Sequence, residues 1–139
     1  MITVGGHFRG PEVDDLPIGR TIARVMEVLM DARGNWELGS SPGVNVVFYV
    51  PGSLGTFDID GIHPGRFSRK RRLLLVEVAV PVKIAKGENA TEFVIKALYE
   101  ANAIAEEVFV RKRVSGFDRA KADAIIDSAK ENLIFSGEF

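Results

Sequence analysis

Residues 65–82 read GRFSRKRRLLLVEVAVPV, and the reading of this segment decides the fold. Arg66, Arg69, Lys70, Arg71 and Arg72, with Phe67 among them, lead into a run from Leu73 to Val82 that is aliphatic except for Glu77 and Pro81. Such a run, rich in valine and leucine, predicts the central strand of a sheet. Pro81 stands near its end, where a missing N–H is tolerable. The cations before it are read as the strand's solvent-exposed entrance, because arginine and lysine are almost never fully buried unpaired.

Upstream, residues 51–65 (PGSLGTFDIDGIHPG) carry four glycines and two prolines and predict a long irregular loop. Loops of that length in a small domain are more often functional than incidental. Before it, Val44, Val46, Phe48 and Val50 alternate with Asn45, Val47 and Tyr49, which predicts a strand. A short strand over 35–38, containing Trp36, would join it through the turn 39–43 as a hairpin. Near the start, Ile2, Val4, Gly6 and Phe8 alternate with Thr3, Gly5, His7 and Arg9, another strand pattern.

Helical spacing is equally plain. Ile18, Ile22, Val25, Met26 and Leu29 form one stripe that begins after Pro17 and stops at Arg33-Gly34. Asn89 followed by Glu92 predicts a helix start, with Val94, Ala97, Leu98, Ala101, Ile104, Ala105 and Val108 inward. Asp118 caps a last helix with the stripe Ala122, Ile125, Ile126, Ala129 and Leu133. The order is β-α-β-β-β-α-α. It predicts a single α+β domain over 1–139: a two-layer sandwich of a mainly antiparallel four-stranded sheet with three helices on one face.

Composition narrows the function. The chain has 139 residues, 46% hydrophobic and 27% charged, the balance of an ordinary globular domain. Its net charge of −1 gives no overall attraction to nucleic acid. With no cysteine, thiolate catalysis and thiolate metal sites are excluded. The start, MITVGGHFRG, has no positive leader and the longest apolar run is about half a membrane span, so a soluble, cytoplasmic protein is expected.

Motif tests are negative. Gly39-Ser40-Ser41-Pro42-Gly43 has nucleophile-elbow spacing, but Pro42 lacks the N–H that would follow the serine, and a strand comes next instead of a helix. Asp58-Ile59-Asp60-Gly61 is a fragment of a calcium loop without its remaining ligands, even with His63 nearby. Gly52-Ser53-Leu54-Gly55 is too common a pattern to assign an anion nest. No cofactor and no metal is expected.

Two surfaces remain. Strand parity collects His7, Arg9, Asn45, Tyr49 and Glu77 on the sheet face away from the helices. The second surface is the cluster Arg66, Phe67, Arg69, Lys70, Arg71 and Arg72. The architecture resembles that of bacterial toxin-neutralising immunity proteins, which implies a protein partner and carries no residue assignment. The expectation is a non-catalytic, interaction-type protein with an acidic partner, or with a second copy of the chain. One alternative is a small enzyme or ligand binder using His7, Tyr49 and Glu77 under the 51–65 loop. The other is nucleic-acid binding at 66–72, with Phe67 stacking on a base.

Overall fold

The computed structural model describes residues 4–9, 17–33, 42–51, 61–70 and 73–137, with the backbone alone at 4–9, 29–33, 70 and 73. Its elements are β1 (Val4–Arg9), α1 (Pro17–Arg33), β2 (Gly43–Tyr49), β3 (His63–Lys70), β4 (Leu73–Pro81), α2 (Ala90–Arg111) and α3 (Arg119–Phe135). The strands form one sheet in the order β1-β2-β4-β3. The class is α+β, and β4 lies inside the sheet between β2 and β3.

The sheet is mixed, not mainly antiparallel. β2 runs parallel to both β1 and β4, and only β3 is antiparallel, to β4. The cause is α1, a 17-residue helix that carries the chain back so that β2 starts at the same end as β1. With β1 on one side and β4 on the other, β2 has no open edge for a hairpin with 35–38. That segment, and Trp36 with it, lies outside the described residues. The hairpin of this fold is β3–β4, and the segment expected to be a loop ending and a charged entrance is the outer strand β3.

Burial follows the register. Val44, Val46 and Phe48 pair with Val76, Val78 and Val80, and all six are at most 1% exposed. α1 lies against β1, and α2 against β4, β2 and β3. α3 makes its main contacts with α1 and α2, so the expected three helices side by side on the sheet are not found. Its stripe Ala122, Ile125, Ile126, Ala129 and Leu133 is buried against them. The far face of the sheet is not fully wet either, since Val47 is only 2% exposed.

The predicted helix starts are present. Asn89 accepts from the N–H groups of Thr91 at 2.8 Å and Glu92 at 3.2 Å, and Asp118 from that of Lys121 at 3.1 Å. The end of α2 is less ordinary. The N–H of Val114 donates to the Phe109 carbonyl at 2.9 Å and that of Arg113 to the Val110 carbonyl at 3.1 Å, a Schellman pair. That motif puts Arg113 at φ 57, where glycine is the usual residue. Arg113→Gly is expected to stabilise the fold by about 1 kcal/mol, read as a higher denaturant midpoint. An unchanged or lower midpoint would count against the strained conformation. Arg113 is therefore a residue held against its backbone preference.

Candidate functional site

The groove between β3 and the end of α2 arises from an irregularity in β3. Pro64 pairs with Val78 and Phe67 with Val76, so Gly65 and Arg66 together oppose Glu77 in a β-bulge. Gly65 suits the close approach there, because a Cβ on it would lie 3.2 Å from Glu77 Oε1 and 3.3 Å from the Glu77 carbonyl oxygen. The extra residue shifts the strand's parity. Phe67, opposite Val76, turns to the helix side and meets Phe109 of α2 edge-on, with ring centroids 6.3 Å apart. Arg69, opposite Leu74, falls on the same side of the register.

The resulting groove has a volume of about 580 Å³ and is lined by Pro64, Gly65, Phe67, Val108, Arg111 and Lys112. Its lining mixes the apolar Pro64, Phe67 and Val108 with the cations Arg111 and Lys112, and Lys112 Nζ stands 5.5 Å from the centre of the Phe67 ring, a cation–π contact. Arg66, Arg69, Arg111, Lys112 and Arg113 are all exposed. Among the described residues, no carboxylate pairs with Arg66, Arg69, Arg111 or Arg113. Arg24 pairs with Glu27 at 3.4 Å and Arg119 with Glu106 at 3.3 Å, while Arg20, Lys86, Lys96 and Lys121 likewise show no ion pair among the described residues.

This placement alters the sequence reading of the basic cluster. Arg66, Phe67, Arg69 and Lys70 lie on a strand, and Arg71 and Arg72 lie outside the described residues. Phe67 is partly buried and packed edge-on against Phe109 instead of standing out freely between the cations.

The other expected surface is ordered by register across the sheet. His7 pairs with Val47 and Val47 with Ala79, which opposes His63. Arg9 pairs with Tyr49, Tyr49 with Pro81, and Asn45 with Glu77. Tyr49 is thus four residues along the sheet from the position opposite Glu77, about 14 Å between Cα atoms at strand spacing. That separation argues against one acid/base group made of His7, Tyr49 and Glu77. The side chains of His7 and Arg9, and most of the loop expected to cover them, lie outside the described residues.

Tyr49 instead meets His63, with centroids 6.2 Å apart at 78°. The small Ala79 beside them lets rings from β2 and β3 approach across β4. His63 Nδ1 lies 3.2 Å from the Gly61 carbonyl oxygen, which can only accept a hydrogen bond. Sequence reading had His63 only as a stray loop ligand. Among the described residues, no three His, Asp or Glu side chains gather to hold a metal ion.

A second polar array joins α2 to α3. Tyr99 donates to Asp127, Asn102 to Asp123 at 3.0 Å, and Arg119 to Glu106 at 3.3 Å. Tyr99, Asn102 and Glu106 share one face of α2, so this ladder fixes the register of two antiparallel helices. Burial, then the hydrogen bond to Asp127 and the charges of Asp127 and Asp123, push the Tyr99 phenol well above its usual range.

The neutral phenol is the favoured form, so its contribution to stability is complete below about pH 10 and is lost as pH rises through the higher folded value. In a near-ultraviolet titration of the native protein, Tyr99 is expected to ionise late. Asp127→Asn is expected to bring the transition down. A titration unmoved by that change would show that the carboxylate does not govern the phenol.

No helix among the described residues is long and apolar enough to cross a membrane. Comparison with family models, curated proteins and solved structures finds no match to this chain.

Proposed function

We propose that this chain is a non-catalytic binding protein that engages an acidic protein partner through β3 and the sheet face beside it. The observation that carries the reading is the set of exposed cations Arg66, Arg69, Arg111 and Arg113, unpaired among the described residues of a chain whose net charge is −1. Arginine and lysine scattered for solubility tend to sit among carboxylates. A surface enriched in one sign of charge is a means of steering and selecting an oppositely charged partner. The partly buried face carrying Asn45, Tyr49, His63 and Glu77 adjoins β3 and extends the contact area.

The test is a partner captured at low salt on the immobilised chain, then measured against the Arg66→Glu/Arg69→Glu variant. Support requires that the captured protein bind through its acidic surface and that the double reversal weaken it. A partner held equally well by both chains overturns the reading.

A further inference from the structure

We infer that the groove between β3 and the C-terminal end of α2 receives an extended acidic segment of the partner, with apolar side chains on the apolar part of its lining and carboxylates on its cationic side. This rests on the binding-protein reading above and assigns its contact to the helix side of β3.

Three observations lead there. The α2 side of the groove is cationic, with Arg111 and Lys112 in its lining, and Arg69 of β3 falls on the same side of the sheet as Phe67. The apolar part of the lining is Pro64, Phe67 and Val108, so a fully polar ligand would leave apolar surface uncovered. The outer edge of β3 is poorly suited to adding a strand. Pro64 has no N–H to offer, and the bulge at Gly65 and Arg66 breaks the row of hydrogen-bonding groups. Recognition therefore falls to the groove and its charges more than to strand addition. Phe67, partly buried on Phe109 with the Lys112 ammonium over its ring, supplies a surface for an aliphatic side chain to cover. A peptide is favoured over a nucleic acid.

Lys112 is the movable part. Its contact with Phe67 is an exposed one, which a carboxylate arriving at the rim can replace. A bound segment thus recruits Lys112 from the ring to itself.

The probe is a capped octapeptide of alternating glutamate and leucine, titrated into the whole chain at low salt while backbone amide shifts are followed. Saturable shifts at Gly65, Phe67 and Lys112 are expected, with at least tenfold weaker binding in the folded Arg111→Glu/Lys112→Glu variant. Three results would overturn the assignment: no saturable shifts, shifts that persist unchanged in the variant, or an oligothymidylate of equal charge binding the groove as tightly.

The two readings fail separately. If the peptide does not bind while Arg66→Glu/Arg69→Glu still loses a captured partner, the groove assignment falls and the broader reading stands. If the peptide binds the groove while a captured partner ignores that reversal, the broader reading falls.

Discussion

Phe109→Ala is expected to remove about 3–5 kcal/mol of folding stability, a large share of the roughly 5–15 kcal/mol that holds a domain of this size. Phe109 is 1% exposed near the end of α2. Its ring meets Phe67 at 6.3 Å and Phe117 at 5.2 Å, so one side chain ties the outer strand and the chain leading to α3 to the same helix. Truncation loses the transfer energy of the ring and leaves a cavity that three elements cannot all close on.

The denaturant midpoint should fall with little change in slope, and amide exchange in β3 should accelerate more than in β2, which β1 and β4 hold from both sides. Phe109→Leu keeps most of the volume and is expected to cost under about 1.5 kcal/mol. A loss below about 1 kcal/mol for the alanine variant would mean that the ring is not the anchor described.

Phe109 also shows where the sequence is readable and where it is not. The inward stripe that the sequence predicts for α2 has Val108 as its last member. Spacing from Leu98 through Asn102 and Ala105 nonetheless brings Phe109 to the same face, and it is buried. Local signals served well elsewhere: the caps Asn89 and Asp118 and the entire stripe of α3 depend on neighbours within a turn or two. Strand pairing is not local. Val46, Val47 and Phe48 are buried in succession, as expected of an interior parallel strand covered on both faces. The same residues pass for half of an alternating hairpin when only parity is considered.

β3 was the least legible element, for physical reasons. Pro64 and Gly65 are signals of a loop, and the bulge that follows destroys the period-two alternation by which a strand is recognised. Its cations then look like a solvated entrance. Only pairing with β4 reveals that Phe67 and Arg69 share the helix side, and only the end of α2, distant in sequence, completes the groove.

Arg66→Glu/Arg69→Glu is expected to weaken an acidic partner by roughly 30- to 150-fold at low salt. An exposed ion pair contributes up to about 1 kcal/mol, and reversing a charge replaces attraction with comparable repulsion. Two reversals therefore amount to about 2–3 kcal/mol, which sets the fold-change. Both positions are exposed on the outer strand, so the variant should keep the parent's denaturant midpoint, and the loss can be assigned to binding. Most of the effect should fall on the association rate, where long-range attraction acts.

Salt separates this from lost packing. The screening length contracts from about 10 Å at 0.1 M to about 3 Å at 1 M, so the parent should lose affinity steeply with added salt while the variant stays nearly flat. The two curves should converge at high salt, leaving the apolar part of the contact common to both. A gap that stays constant from low to high salt would mean that the substitutions act by shape, and the cations of β3 would then be a guarded sheet edge and not a recognition surface.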